Sequence, residues 1–386
     1  MIPYGRQEIT QQDIDAVLDV LDSDFLTQGP KVPMFEESVK QAACADYAVA
    51  VNSATSALHI ACLALGVANG DLVWTTPITF VASANCALYC GAKVDFVDID
   101  AATYNLCPNE LEKKLKHARS NNLPLPKVVV PVHLCGQSCD MEKIYHLSIE
   151  YGFSIIEDAS HAIGGRYKNE PIGNCRYSDI TVFSFHPVKI VTTAEGGVAL
   201  TNNAKLKERM DLFRSHGVTR DVKSMACDSH GPWYYEQIEL GFNYRMTELQ
   251  AALGISQMDR LESFVDRRHK LAQKYYEKLS DLPIVLPYQL PETYSGLHLF
   301  VIRLNLSALV LSRLEVFELL RENGIGVNIH YIPVHSQPYY QKMGFSSGDF
   351  PIAEKYYSEA ISIPMFPTMT DDQQQEVVDV LTRILR

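Results

Sequence analysis

Short apolar runs and helical patterns alternate through the first half of the chain. Seven of the apolar runs are predicted to be strands: Ala48–Val51, Leu72–Thr75, Val94–Val97, Val128–Val132, Ser154–Glu157, Ile180–Ser184 and Val198–Thr201. Helical patterns separate them, as over Thr55–Leu65, Glu110–Lys116 and Met141–Tyr151. Because strands that alternate with helices build mostly parallel sheets with helices on both faces, the pattern predicts an α/β fold.

The pattern changes in the last third of the chain. Capping-box sequences mark helix starts at Thr10–Asp13 and Thr247–Gln250, and the second helical pattern continues to about Leu279. A proline-rich loop follows, and the elements predicted after it are strands at His298–Leu304 and Val327–Ile332 and helices at Ser312–Asn323 and Thr370–Leu385. We therefore expect an N-terminal arm and helix (residues 1–30), a large domain (31–265) and a smaller α+β domain (266–386).

Composition narrows the class of protein. Of the 386 residues, 47% are hydrophobic and 21% are charged, which is ordinary for a soluble globular enzyme. The net charge of -12 argues against a nucleic-acid binder. The uncharged stretches Tyr47–Gly70 and Leu72–Ala92 contain polar and small residues throughout, which indicates buried core and not a membrane span. Nine scattered cysteines indicate reduced thiols, so we expect a cytoplasmic protein with neither a membrane nor a nucleic-acid partner.

A carboxylate and a lysine follow two of the predicted strands. Asp158 stands at the carboxyl end of one strand, where α/β sheets bind ligands, and Lys189 follows the next strand in a loop of small and polar residues. A lysine there can form a Schiff base, and a facing aspartate can pair with the pyridinium nitrogen of pyridoxal phosphate (PLP). Singly, each residue is more often a surface lysine or a helix cap, but the ordered combination is much rarer.

A third segment offers a place for a phosphate. Asn52–Leu58 runs from a strand into a helix with small and hydroxyl residues, and the free N–H groups of a helix N-terminus bind anions. Ordinary N-capping by Ser53 or Thr55 is the alternative interpretation. His133, Cys135 and Cys139 supply only three ligands and no paired Cys-x-x-Cys, so we expect no metal site. No glycine-rich dinucleotide fingerprint supports NAD.

Together these motifs resemble the sugar aminotransferases of the DegT/DnrJ/EryC1 family, which are fold-type I PLP-dependent transferases. The segments that carry the resemblance are Asn52–Leu58, Thr75–Ala82, Glu157–Gly164, Phe183–Gly197 and Gly241–Leu253. The resemblance extends from the N-terminal arm to the last helix. It implies a large domain with a mixed, mostly parallel sheet, a smaller α+β C-terminal domain and PLP as cofactor.

The resemblance also implies roles for individual residues toward PLP. Lys189 is the catalytic lysine, which binds the cofactor and moves the proton, and Asp158 keeps the ring nitrogen protonated. Phe80 stacks on the ring, with core packing as the alternative, and His161 stands near the phenolic oxygen where the family usually has Gln. The implied phosphate-binding residues are Ala54, Thr55, Ser184 and Asn243. Asn243 would reach the phosphate of the other subunit, which implies a homodimer with shared sites.

Finer features resemble a branch of the family that acts in pseudaminic acid biosynthesis. By that resemblance, L-glutamate donates its amino group to C4 of a UDP-linked 4-keto-6-deoxy-N-acetylhexosamine. The implied sugar contacts are Tyr4, Leu26, Thr27, Gln28, Gly29, Asn328, Ile329, His330 and Tyr331. The alternatives are another nucleotide-linked keto sugar (a UDP-4-keto-pentose, or a GDP- or dTDP-4-keto-6-deoxyhexose), a PLP lyase or dehydratase, and a non-catalytic sensor. Lys189 favours transamination, because the dehydratases of the family have histidine in its place.

Overall fold

The computed structural model describes all 386 residues. The helices are α1 Gln11–Leu21, α2 Lys31–Ala43, α3 Ala54–Ala64, α4 Ala82–Tyr89, α5 Pro108–Ser120, α6 Met141–Tyr151, α7 Ala204–Arg214, α8 Glu248–Met258, α9 Leu261–Leu279, α10 Arg313–Glu322, α11 Pro338–Gln341, α12 Pro351–Glu359 and α13 Asp371–Leu385. The strands are β1 Tyr47–Val51, β2 Leu72–Thr75, β3 Lys93–Phe96, β4 Val128–Val130, β5 Ser154–Asp158, β6 Arg166–Tyr167, β7 Glu170–Pro171, β8 Ile180–Ser184, β9 Gly197–Thr201, β10 Val218–Thr219, β11 Glu236–Gln237, β12 Ile284–Val285, β13 Thr293–Tyr294, β14 Phe300–Leu304 and β15 Ala360–Ile363.

A seven-stranded sheet forms the centre of the molecule, in the order β1-β9-β8-β5-β4-β2-β3. Neighbouring strands are parallel except for β9, which runs antiparallel to both β1 and β8. Every residue of β8 and β9 is buried, because helices cover both faces of the sheet and the strands are made of apolar residues. The α/β fold class predicted from the sequence, a mixed and mostly parallel sheet, is confirmed.

Two elements predicted from the sequence differ in the structure. The helical pattern from Thr247 to Leu279 is broken at Asp259 and Arg260, so that α8 and α9 are separate helices. At this break the Arg260 guanidinium bonds to Asp13, at 2.7 Å, in addition to Thr10. The helical pattern continued across the break because both helices keep apolar residues toward the same core.

The predicted strand Val327–Ile332 was also wrong. Only Asn328 pairs with a strand residue, Ser362 of β15, in an isolated bridge. Asn328, Ile329, His330 and Tyr331 then line a cavity instead of continuing a ladder. The His330 ring bonds to the Ser362 hydroxyl at 2.7 Å, so side-chain bonding replaces strand pairing here.

Helix α9 connects two separate hydrophobic cores. Its first turns place Leu261 and Val265 in a core beside β8 and β9, whereas Leu271 and Leu279 pack in a second core with β14 and α13. We propose that the boundary between the large and small domains lies inside this helix. Ile2 packs in the second core as well and pairs with Ile325, so the start of the chain is attached to the C-terminal part. None of the helices combines the length and the apolar character needed to cross a bilayer.

Candidate active site

A cavity of about 560 Å³ opens at the carboxyl ends of β5 and β8. Most of the site residues predicted from the sequence line it: Tyr4, Ala54, Thr55, Phe80, Asp158, His161, Ser184, Lys189, Asn328, Ile329, His330 and Tyr331. They come from the N-terminal arm, the ends of β5 and β8, the segments that follow β1 and β2, and the segment before α11. Their convergence occurs where the strand ends of an open α/β sheet bind ligands.

The lysine lies in a polar loop that leaves β8. A turn closed by the Lys189 N–H and the His186 carbonyl, at 2.9 Å, places the side chain in the cavity. Burial disfavours the ammonium form and lowers the pKa of Lys189 to about 8, although the negative charge of Asp158 and the Cys135 thiol act in the opposite direction. A pKa near neutrality gives this amine a useful neutral fraction, which a nucleophile and a proton carrier both need.

The aspartate is fixed at the last position of β5. Its backbone N–H bonds to the Pro131 carbonyl, and only 5% of the residue is exposed. One carboxylate oxygen accepts a hydrogen bond from the Ser83 hydroxyl at 2.6 Å, and the other accepts one from the Ser160 N–H at 3.1 Å. Each oxygen has a further acceptor site, so the carboxylate can also bond to a protonated ring nitrogen in the cavity.

The N-terminus of α3 forms the anion-binding end of the cavity. The Ser53 side chain caps the helix by accepting from the Ser56 N–H at 3.1 Å, while the N–H groups of Ala54 and Thr55 have no acceptor within the chain. A Cβ at Gly197 would lie 2.5 Å from the Ala54 nitrogen, so only glycine lets β9 approach this turn. Free N–H groups at a helix start are the donors that a phosphate needs.

His161 is neutral and has a defined tautomer. Its Nδ1 accepts a hydrogen bond from the Cys135 N–H at 3.2 Å, so the proton is on Nε2, which lies 3.1 Å from the Tyr331 hydroxyl. Burial and the neighbouring Lys189 and His330 keep the pKa of His161 well below its usual 6.5. His161 is therefore a hydrogen-bond donor without a charge, a role that the amide of Gln can also fill.

The family model of the DegT/DnrJ/EryC1/StrS aminotransferases matches residues 7–382. The chain belongs to this family. Among its relatives is the UDP-4-amino-4,6-dideoxy-N-acetyl-beta-L-altrosamine transaminase of Campylobacter jejuni, 37% identical over 388 residues that cover 100% of this chain and 98% of the relative. The spore coat polysaccharide biosynthesis protein SpsC of Bacillus subtilis is also 37% identical, over 100% of this chain and 97% of its own.

Solved structures of the family have the same architecture. PseC of Helicobacter pylori, an aminotransferase involved in pseudaminic acid biosynthesis, is 30% identical with a TM-score of 0.89, over 100% of this chain and 99% of its own. Spr1654 of Streptococcus pneumoniae has been solved in a PLP form, with 28% identity, a TM-score of 0.88 and full coverage of both chains. The predicted family, fold and cofactor are thereby confirmed: the protein is a PLP-dependent sugar aminotransferase.

The donor groups of this aminotransferase's cavity fit PLP. An amine of lowered pKa, a buried carboxylate, unpaired helix N–H groups and an apolar ring line one space. The Phe80 side chain is 59% exposed although it lines the cavity, which leaves one ring face open for stacking. The core-packing alternative for Phe80 is wrong, because its ring is not buried.

Five predicted residues of the aminotransferase lie outside its own cavity. Leu26, Thr27, Gln28 and Gly29 pack beside the start of α8, where Thr27 pairs with Thr247. Asn243 pairs with Ser215 in the adjacent loop. Thr27 thus pairs with a residue only four positions after Asn243, in the segment that leads into α8.

Ten further residues line the cavity without having been predicted as site residues, and Thr79, Glu195 and His298 are among them. Thr79 lies within a motif that was recognised, but its neighbour Phe80 was the residue singled out there. His298 and Glu195 also line the cavity, and His298 is only 3% exposed with an unpartnered Nδ1. His298 is the first residue of a predicted strand, whose periodicity gives no sign of a cavity, so only the fold reveals its position.

Proposed function

We propose that this aminotransferase transfers the amino group of L-glutamate to C4 of a UDP-linked 4-keto-6-deoxy-N-acetylhexosamine, in pseudaminic acid biosynthesis. The observation that carries the amine-transfer chemistry is the Lys189 amine, with a pKa of about 8, in the same cavity as the Asp158 carboxylate. The similarity to the altrosamine transaminases and to PseC supports the sugar class. SpsC is as similar in sequence, so the substrate must be decided by experiment.

When bound, PLP supplies an electron-accepting ring that stabilises negative charge on the carbon next to the amine. Asp158 would hold the ring nitrogen, Phe80 would cover one ring face, and His161 would donate to the phenolic oxygen. The N–H groups of Ala54 and Thr55, together with the Ser184 hydroxyl, would hold the phosphate. The cavity residues therefore fix the ring at its nitrogen, its face and its phosphate.

Lys189 would move the proton in both halves of the reaction. Its Nζ can take a proton from the donor carbon and return it elsewhere only if both protonation states are accessible near neutral pH. The lowered pKa of about 8 meets that requirement. We expect Lys189→Ala to abolish amine transfer, since no other amine lines the cavity.

We also propose a homodimer with shared sites. The exposed face of α1 and the loop after it carry large apolar side chains that are 44–54% exposed, namely Ile14, Leu18, Leu21, Phe25 and Leu26. An apolar surface of this kind is typical of a protein–protein interface. It is continuous with the segment of Leu26 to Gly29, which pairs with Thr247, four residues after Asn243, and lies outside the cavity of its own subunit. A second copy seated there would bring these residues to its site.

Absorption spectroscopy with a substrate panel tests the catalytic proposal. The protein with PLP should have a visible band that bleaches with L-glutamate and returns with the UDP-linked keto sugar, but not with the GDP- or dTDP-linked sugars. The Lys189→Ala variant is the control and should show no bleaching. A preference for a GDP- or dTDP-linked sugar would refute the proposed UDP-sugar substrate, but not the aminotransferase activity. If no visible band forms with added PLP, transamination is refuted and a binding role is favoured.

Mixing two inactive variants tests the shared site. In a mixed dimer, Lys189→Ala and Asn243→Ala fall in the same site, and leave the other site intact, only if Asn243 serves the partner's site; otherwise each of the two sites carries one damaging change. If Asn243 serves the partner's site, random exchange of an equal mixture leaves about a quarter of all sites intact. Activity should then return on mixing. Continued inactivity, with subunit exchange verified by mass spectrometry, would contradict the shared site.

A further inference from the structure

A buried hydroxyl links two elements that contact the proposed cofactor ring. Ser83 lies in the first turn of α4, has no exposed surface and donates to Asp158 Oδ2 at 2.6 Å. The two residues are 75 positions apart in sequence. A hydrogen bond this short to a carboxylate is among the stronger kinds in proteins.

The protons of this network can be assigned. Ser83 has one hydroxyl proton, and the carboxylate can only accept, so the proton lies between Ser83 and Asp158. The Thr79 hydroxyl, 2.7 Å from the Ser83 oxygen, must therefore be the donor in that contact. The Phe80 carbonyl is a weaker competitor at 3.3 Å from the Ser83 oxygen. Donation thus runs from Thr79 to Ser83 and on to Asp158.

The position of this network relative to the cavity gives it a function. Phe80, whose open ring face lines the cavity, stands between Thr79 and Ser83 at the start of α4, and Asp158 ends β5. The loop with the aromatic ring and the strand with the carboxylate are thus joined by the Ser83 hydroxyl. The Ser160 N–H fixes only the other oxygen of Asp158. Without Ser83, the carboxylate could rotate about its last side-chain bond.

We propose that Ser83 is a positioning residue that sets the orientation of the Asp158 carboxylate toward the ring nitrogen of PLP, with Thr79 orienting the Ser83 hydroxyl. The inference rests on the role given to Asp158 under the proposed function. It adds a second layer of residues that sequence reasoning did not find.

Four variants separate positioning from simple packing. Ser83→Ala removes the donor, Ser83→Thr keeps it, and Thr79→Val removes only the outer donor at nearly constant volume. The matched control is Ser148→Ala, a buried helix serine far from the cavity that donates to the Tyr145 carbonyl at 2.8 Å. Each variant is measured for PLP dissociation constant, for the visible circular dichroism of bound PLP and for the melting temperature of the cofactor-free protein.

Loss of one hydrogen bond to a charged group should weaken PLP binding by about tenfold or more in Ser83→Ala. Its visible circular dichroism should fall because the ring is held less uniformly. Ser83→Thr should restore both properties, Thr79→Val should lie between, and Ser148→Ala should match the wild type in PLP binding and dichroism.

Two results would overturn the inference. One is wild-type PLP affinity and dichroism in Ser83→Ala. The other is weaker binding that Ser83→Thr does not restore and that parallels a lower melting temperature, since packing alone would then explain it. Failure of the proposed function is distinguishable, because in that case the wild type itself would bind no PLP or Asp158→Ala would bind it unchanged.

Discussion

The charge balance at Lys189 predicts that removing the neighbouring Asp158 charge makes the Lys189 amine more reactive, although Asp158 belongs to the proposed catalytic site. Asp158 raises the pKa of Lys189, while burial lowers it to a net value of about 8. Asp158→Asn removes the charge and keeps the shape. We therefore expect Lys189 of the cofactor-free variant to titrate below the wild type and to be more nucleophilic at pH 7, although the same variant holds PLP less well.

The expected magnitude follows from the neutral fraction of the amine. At a pKa of about 8, roughly a tenth of the Lys189 side chains are neutral at pH 7, against about one in three thousand at the usual lysine value of 10.5. At pH 7, Lys189 should thus have about 300 times the neutral fraction of a lysine of ordinary pKa, and should react faster than such a lysine with equal access. Asp158→Asn should increase the reaction rate of Lys189 further. This difference between variant and wild type should disappear above pH 9, where Lys189 is neutral in both proteins.

Competitive labelling of the cofactor-free protein with trace acetic anhydride measures this quantity. Peptide mass spectrometry gives the rate at Lys189 from pH 6 to 11, with the exposed Lys113 as internal reference. Glu195→Gln is the matched control, because it removes a carboxylate that lines the cavity but does not shift the pKa of Lys189. A midpoint near 10.5 in the wild type would refute the effect of burial. A midpoint raised by Asp158→Asn would refute the direction of the charge effect.

Substitutions at three further positions test other parts of the structure. Gly197→Ala should weaken PLP binding by about tenfold or more in a spectroscopic titration, because its Cβ would lie 2.5 Å from the Ala54 nitrogen and displace the helix start. His161→Gln should keep activity within about threefold and leave the pH–rate profile unchanged from pH 6 to 8, since the histidine is neutral there, whereas His161→Leu should be strongly impaired. Arg260→Ala should lower the free energy of unfolding by about 3 kcal/mol in urea, because it leaves Asp13 buried without its cation. Burial raises the pKa of Asp13, but the hydrogen bonds to its carboxylate and the charge of Arg260 lower that pKa below 3.8 overall. The stability that ionised Asp13 contributes to the wild type should therefore be complete above pH 3.8 and be lost as the pH falls through the pKa of the folded state.

The central sheet could be predicted from the sequence because its strands are buried on both faces. Continuous apolar runs such as those of β8 and β9 need no knowledge of their neighbours to be recognised. The antiparallel direction of β9 was not predictable in this way, since direction depends on the connection and leaves no mark on hydrophobicity. The break between α8 and α9 was missed for a similar reason, because Arg260 at the break bonds to Asp13, which is distant in sequence.

The reactive residues of the site were found because they stand in local motifs beside strand ends. Lys189 and Asp158 belong to this class. Ser83 and His298 lie outside such motifs, and Thr79 lies inside one without having been singled out, because the importance of all three depends on hydrogen bonds or proximity in the fold. Leu26 to Gly29 and Asn243 were predicted as site residues, yet a single subunit does not bring them to the cavity.

The antiparallel strand β9 also sets the order in which the chain can fold. It is inserted between β1 and β8, so β1 has no sheet partner until Gly197–Thr201 has been synthesised. At ribosomal speeds of about 5–20 residues per second, the intervening chain of nearly 150 residues takes roughly 8–30 s to appear. Throughout that time the apolar strand β1 lacks its sheet partner, and the helix start at Ala54 lacks the strand that packs against it. The turn that would hold the cofactor's phosphate is therefore made early but completed only when β9 is added, so PLP cannot assist folding at this turn before about half of the chain has been synthesised.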